Sequence, residues 1–177
     1  MPDVVMIAVT PAALIAGALI GTWRARLDPR SGLGLQLPSA RHAVIFTAAF
    51  LALLVVHEGL YQLFGLDERQ SDWRTYEAGA IALRVVFVAF IYPLAEELFF
   101  RGFLLGLITR KAGVIVAIVA TALFFTLLHL PLGWIGPLLI FTDGLFFGFA
   151  RVGSGSLLLP AAFHVVGNSI AVIQRLS

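Results

Sequence analysis

Six long apolar runs, separated by short clusters of charged and turn-forming residues, make up most of the chain. They cover residues 4–23, 43–66, 78–109, 112–130, 134–150 and 156–174, each within a residue or two. A helix rises about 1.5 Å per residue, so about 20 apolar residues are needed to cross the roughly 30 Å hydrocarbon core of a bilayer. The pattern therefore predicts an all-α protein, a polytopic membrane helix bundle with about six transmembrane helices.

The third run is too long for one upright crossing and has Pro93 near its middle. It could form one long helix, tilted or kinked, or two short helices of about 15 residues each. A single crossing places seven basic residues on one side of the membrane: Arg24, Arg26, Arg30, Arg41, Arg110, Lys111 and Arg151. Two crossings would remove this bias, which multi-pass proteins normally show. Since proline also removes a backbone donor, we predict one long third helix that is kinked near Pro93.

Charge and composition refine this picture. Basic residues gather on the cytoplasmic side of membrane proteins, which predicts an outside N-terminus and a cytoplasmic loop over residues 24–42. A bacterial inner (plasma) membrane is the simplest location for such a protein. Only 12% of the residues are charged, against about 25% in soluble domains. Without a repeat or a long linker, residues 1–177 are predicted to form a single transmembrane domain.

Cysteine and net charge narrow the possible chemistry. The chain has no cysteine, which excludes disulfides, a thiolate nucleophile and a thiolate metal site. The net charge of +2 is too small to indicate a nucleic-acid partner. Candidate chemistry must therefore come from the few polar side chains that remain inside the apolar runs.

Six ionisable residues lie deep within the predicted spans: Glu96, Glu97, Arg101, His129, Asp143 and His164. Each costs at least about 2.5 kcal/mol to insert at the centre of a bilayer, so each is a candidate functional residue. Glu97 and Arg101 are four residues apart with the acid first, the better order for an ion pair on one helix face. Glu96 lies about 100° around the helix from Glu97 and is expected to point elsewhere.

The two histidines sit in short patterns of their own. In "FFTLLHLP", Phe125 and His129 are four residues apart, and Pro131 is expected to end the helix just beyond them. In "FHVVGNS", His164 and Asn168 are also four apart, so both project from one face of the last helix. Close packing of three helices could bring these groups and the glutamates into one cavity.

Three short motifs in this order resemble those of a known family. "EELFFRG" fits EExxxR, "FTLLH" fits FxxxH and "HVVGN" fits HxxxN. These are motifs of the CAAX-prenyl-protease-like and bacteriocin-processing (CPBP, or ABI) intramembrane proteases. The resemblance covers residues 80–172 or so, which would be the catalytic core.

The resemblance implies a glutamate-dependent intramembrane endopeptidase that needs no cofactor. Glu96 would be the general base that activates water, helped by His129, while His164 and Asn168 would stabilise the oxyanion. Glu97 and Arg101 would be supporting residues. The implied partner is a peptide or protein substrate, membrane-anchored or lipid-modified and in some members prenylated.

Two other interpretations remain open. Glu96, His129 and His164 could instead hold a zinc ion, although the chain lacks the HExxH motif. Alternatively, the buried charges could be structural elements of a membrane scaffold or a small-solute transporter. Asp143 belongs to none of the motifs, and its partner could be Arg84, Arg101 or a histidine.

Overall fold

The computed structural model describes residues 2–65, 72–130 and 135–177, with side chains from residue 7 onward. Within these ranges the chain is helical and contains no strand, which confirms the predicted all-α bundle. A short 3₁₀ turn, Trp73–Thr75, precedes the third helix. The long helices are α1 Pro2–Arg24, α2 Ala40–Phe64, α3 Ala78–Ala112, α4 Val114–Leu127, α5 Ile135–Ser154 and α6 Leu158–Leu176.

Four of these helices are long and apolar enough to cross a membrane, namely α1, α2, α3 and α5. The chain is therefore an integral membrane protein with several spans. Helix α4 is apolar but has only 14 residues. Helix α6 is polar for a membrane helix because it carries His164, Asn168, Ser169 and Gln174. The predicted count of six crossings is thus approximate, since α4 and α6 are the least membrane-like of the helices.

Helix α3 runs for 35 residues without interruption, which confirms one long third helix rather than two short ones. Two π-helical segments, Phe87–Ile91 and Leu98–Leu104, lie on either side of a six-residue α-helical stretch, Tyr92–Glu97. Where the sequence predicts a kink near Pro93, the structure has the first of these π-helical segments, which ends two residues before the proline. Short π-helical insertions are frequent at functional sites, and the second segment here begins directly after Glu97.

The two ends of the bundle separate the basic residues as the sequence predicts. At one end, Arg151 donates to the Gly32 carbonyl at 3.2 Å, so the end of α5 lies beside the α1–α2 connection. At the other end, Arg175 lies over the Trp73 ring with its guanidinium carbon 5.7 Å from the ring centroid. Arg74 donates to the carbonyl of the last residue at the same end.

The α1–α2 connection, residues 25–39, is hydrogen-bonded to the turn between α5 and α6. The Leu157 backbone N–H donates to the Gly34 carbonyl at 2.8 Å. The Ser156 hydroxyl, which is fully buried, donates to the Gln36 carbonyl at 2.5 Å. These bonds fix the start of α6, the helix that carries His164 and Asn168, against a segment that precedes α2.

Helices α4 and α5 pack closely because glycines face small or branched residues. A Cβ atom added at Gly144 would lie 3.0 Å from the Cα and Cβ atoms of Ala122. One added at Gly148 would lie 2.9 Å from Ile118 Cγ2. Small residues at helix interfaces let two membrane helices approach closely. Here they bring α4, which ends near His129, against α5.

The substitution Gly148→Ala should therefore destabilise the bundle by about 1–3 kcal/mol, because the new methyl group overpacks the contact with Ile118. Unfolding of the purified protein in detergent would measure this loss. The matched control is Gly167→Ala in α6, where a Cβ meets nothing within 4 Å. That variant should gain about 0.5–1 kcal/mol, as alanine does over glycine in a helix. Equal effects of the two variants would contradict the packing.

Candidate active site

A fully buried ion pair lies at the centre of α3. Arg101 Nη1 donates to Glu97 Oε1 at 2.8 Å, and both side chains are 0% exposed. This is the ion pair that the four-residue spacing predicts. Arg101 Nη2 also donates to the Gly144 carbonyl of α5 at 3.2 Å, and its guanidinium carbon lies 4.8 Å from the centroid of the Phe125 ring. Arg101 therefore joins α3 to α4 and α5 while balancing the charge of Glu97.

His164 lies between the two glutamates. Its Nδ1 is 3.1 Å from Glu97 Oε1, and its Nε2 is 3.6 Å from Glu96 Oε2. A carboxylate oxygen can only accept a hydrogen bond, so the Nδ1 that contacts Glu97 carries the hydrogen. In the neutral ring Nε2 is then an acceptor, and in the protonated ring it donates toward Glu96. The His164 imidazole thus lies between a fully buried carboxylate, Glu97, and a more accessible one, Glu96.

The two glutamates differ in accessibility although they are adjacent in sequence. The Glu97 side chain is 0% exposed and already contacts Arg101 and His164, whereas the Glu96 side chain is 13% exposed. The α-helical geometry of Tyr92–Glu97 separates their directions by about 100°. Glu96 is therefore the more accessible of the two carboxylates.

Aromatic rings hold the His164 imidazole in place. The Phe147 ring of α5 stacks on it with centroids 5.3 Å apart, and the Phe125 ring of α4 meets it edge-on at 5.7 Å. Both phenylalanines are buried. Together with the Glu97 contact, these rings fix the plane of the imidazole and therefore the direction of Nε2.

His129 approaches the same region from α4. Its Nδ1 lies 2.8 Å from the Phe125 carbonyl, and its ring packs on the Phe125 ring with centroids 4.6 Å apart. Because a carbonyl only accepts, Nδ1 carries the hydrogen and Nε2 of the neutral ring keeps its lone pair. The Phe125 ring contacts both His129 and His164, so the two histidines lie on either side of one phenylalanine. Helix α4 ends at Leu127, and Pro131, which was expected to end it, lies outside the described residues.

Asn168 has a different contact from the other site residues. Its Nδ2 donates to the Val88 carbonyl in the first π-helical segment of α3, at 2.8 Å. The structure thus brings Glu96, Glu97, Arg101 and His164 into direct contact, with His129 beside them. Asn168 lies one turn beyond His164 on α6 and bonds to the backbone of α3. Its partner is a main-chain carbonyl, so this contact could not be predicted from residue identities in the sequence.

Asp143 belongs to a second polar cluster, outside this site. His57 Nδ1 of α2 lies 3.7 Å from Asp143 Oδ1, and His57 Nε2 lies 3.0 Å from the Thr142 hydroxyl. A histidine, one of the three options that the sequence left open, is therefore among the partners of Asp143. Arg84 instead lies over the Tyr76 ring, 4.3 Å from its centroid.

The proposed zinc ligands, Glu96, His129 and His164, do not form a metal-binding group. In the part of the chain that the structure describes, no three His, Asp or Glu side chains are arranged to hold a metal ion. The Nδ1 atoms of both histidines are engaged with Phe125 and Glu97. A zinc ion would have to be held by the remaining Nε2 atoms together with Glu96.

Comparison with known families supports the resemblance seen in the motifs. Residues 78–170, which are 93 of the 177 residues, match the sequence profile of the family described as "Type II CAAX prenyl endopeptidase Rce1-like". The match begins at the first residue of α3 and ends within α6, so it includes every residue of the candidate site. Neither the curated proteins nor the solved structures give a match.

Proposed function

We propose that this chain, which belongs to the type II CAAX prenyl endopeptidase Rce1-like family, hydrolyses a peptide bond of a membrane-anchored or lipid-modified substrate and uses Glu96 as its general base. One observation carries the proposal. His164 contacts two adjacent glutamates, of which one is sealed and neutralised by Arg101 and the other is accessible. Such an arrangement leaves one carboxylate available for chemistry.

The environment of Glu96 suits a general base. It lies beside His164, and among the described residues no lysine or arginine forms an ion pair with it. An arginine bound to Glu96 would stabilise the carboxylate and make it a weaker base. Arg101 is instead engaged by Glu97 and the Gly144 carbonyl. The positive charge of Arg101 therefore stabilises the packing of the helices and does not pair with Glu96.

The proposed reaction has two steps. Glu96, assisted by His129, takes a proton from water, and the water oxygen forms a bond to the scissile carbonyl carbon. The resulting oxyanion accepts hydrogen bonds from the Nε2–H of His164 in its protonated form and from the second N–H of the Asn168 carboxamide. When the tetrahedral intermediate collapses, the C–N bond breaks and Glu96 returns the proton to the leaving amine. The products are a carboxylic acid and an amine, and Glu96 is regenerated.

The proposed substrate follows from the family and the membrane location. The family description specifies CAAX prenyl endopeptidases, so a peptide bond near a lipid-modified cysteine is the leading candidate. A substrate anchored in the same membrane would enter the bundle from the lipid. We place the protein in a bacterial inner membrane, with the N-terminus outside and the α1–α2 connection in the cytoplasm.

Comparing protein termini between wild-type cells and cells that carry Glu96→Gln would identify the cleaved bond. The proposal expects at least one membrane protein whose processed terminus is present in wild-type cells and missing in the variant. An equal level of the folded variant in the membrane is the control. Identical sets of termini would contradict the proposal and favour a scaffold or transporter.

Strong chelators should leave cleavage by the purified protein unchanged. The reason is that Glu96, His129 and His164 are not arranged as a metal-binding group in the described part of the chain. The measurement is the cleavage rate before and after extended dialysis against a chelator, together with metal analysis of the protein. Loss of activity that zinc alone restores would instead establish the zinc enzyme.

A further inference from the structure

The Val88 carbonyl in α3 lacks a backbone donor because of two consecutive features. In a regular α-helix the N–H of Tyr92 would donate to it, but that N–H bonds to the Phe87 carbonyl instead. In the π-helical pattern the next donor would be residue 93, which is a proline and has no N–H. The side chain of Asn168 takes the place of both and donates to this carbonyl at 2.8 Å.

This hydrogen bond constrains the carboxamide of Asn168. The amide group is planar and has two N–H donors. Once one of them is bonded to the Val88 carbonyl, the direction of the second is fixed relative to α3. An unpaired carbonyl inside a membrane protein is costly, so the bond has a strong reason to persist. Val88 lies in the segment that directly precedes Tyr92–Glu97, the stretch that carries both glutamates.

We propose that Pro93 is a positioning residue: by having no N–H, it reserves the Val88 carbonyl for Asn168 and thereby aims the second N–H of Asn168 at the oxyanion. The inference rests on the proposed function, because it assigns a catalytic use to that N–H. It gives a role to a proline that otherwise only weakens a membrane helix. It also gives Asn168 two tasks, which are to complete the backbone of α3 and to donate to the reacting group.

The first test is Pro93→Ala. Alanine supplies an N–H that competes with Asn168 for the Val88 carbonyl, so the carboxamide is no longer held in one orientation. We expect kcat to fall at least about tenfold, as displaced catalytic groups do, with KM changed less than about twofold. The apparent Tm in detergent should stay the same or rise, because alanine favours a helix interior over proline. A merely structural proline would not give higher stability together with lower kcat.

The matched control is Pro11→Ala. Pro11 also lies inside a helix, α1, and is buried, but it is remote in sequence from the site. This variant should show the same or higher Tm with unchanged kcat. An unchanged kcat in Pro93→Ala, or an equal fall in both proline variants, would overturn the positioning role.

The second test needs no catalytic readout. In the wild-type background, Asn168→Ala leaves the Val88 carbonyl unpaired and should lower the apparent Tm by several degrees. In the Pro93→Ala background the same substitution should lower it by less, because the new N–H takes over the carbonyl. Equal losses in the two backgrounds would overturn the hydrogen-bond assignment.

The two proposals fail separately. If Glu96→Gln retains full cleavage, the proposed function is wrong, whatever the Tm values of the Asn168 variants are. If Glu96→Gln abolishes cleavage but Pro93→Ala keeps the wild-type kcat, the function stands and the positioning inference is wrong. Both kinetic measurements use the full-length protein in detergent or reconstituted vesicles.

Discussion

Replacing Glu96 with glutamine should lower the rate of peptide cleavage at least about a hundredfold, the low end of what general acid–base groups contribute. Glutamine has nearly the same shape but cannot take a proton from water. The Glu97–Arg101 ion pair and the Glu97–His164 contact do not involve Glu96, so the variant should fold normally. Cleavage of the substrate by purified protein measures the effect, with unfolding in detergent as a check on stability.

A matched control for this prediction is Glu58→Gln in α2. Glu58 is another glutamate within an apolar segment, but it is exposed and accepts a hydrogen bond from Gln62 at 2.6 Å. Its replacement should leave the cleavage rate within about twofold of wild type, as expected for a residue that does not contact the reacting atoms. Wild-type cleavage by a folded Glu96→Gln variant would rule out Glu96 as the base.

Replacing Arg101 with methionine should lower the free energy of unfolding by about 3–5 kcal/mol. Methionine fills a similar volume, so the main loss is electrostatic: the buried carboxylate of Glu97 loses its balancing cation. The Gly144 carbonyl also loses its side-chain donor. Denaturant unfolding in micelles, followed by tryptophan fluorescence, would measure the change.

Two controls separate the charge effect from packing. The double variant Glu97→Gln with Arg101→Met removes both charges and should recover part of the lost stability, because no unpaired ion stays buried. Arg74→Met disrupts the ion pair with Asp72, in which the two atoms are 2.9 Å apart but the side chains are about half exposed. That change should leave stability nearly unchanged. A loss no larger for Arg101→Met than for Arg74→Met would contradict the prediction.

Most of the fold could be predicted because the membrane imposes simple rules. Apolar length predicted the helices, and the distribution of basic residues indicated that residues 78–109 form one helix, which the structure extends to Ala112. The ends of the helices were harder to place. Helix α5 runs to Ser154 rather than to about residue 150, since its last turn is packed and hydrogen-bonded through Arg151. The π-helical segments leave no mark in the apolar pattern.

The candidate site could be predicted only in part. The Glu97–Arg101 contact follows from spacing because both residues lie on one helix. The approach of His164 to the glutamates depends on how α6 packs against α3, which spacing within one helix does not determine. The prediction that His164 and Glu96 share a site rested on the family resemblance. The partner of Asp143 remained open for the same reason, since it lies on another helix. The role of Val88 was out of reach because a backbone carbonyl has no sequence identity.

The hydrogen bonds between the α1–α2 connection and the α5–α6 turn indicate that the family-matching stretch needs the residues before it in order to fold. Residues 78–170, which match the family, contain three donors that bond to carbonyls of residues before this stretch. The donors are Ser156, Leu157 and Arg151. A shortened enzyme made of that stretch alone would expose those donors to lipid or leave them unsatisfied. The acceptors are the main-chain carbonyls of Gly32, Gly34 and Gln36, and a Cβ atom added at Gly34 would lie 2.4 Å from the guanidinium carbon of Arg151. The segment before the family match is thus needed for these hydrogen bonds and is itself restricted in sequence at its glycines.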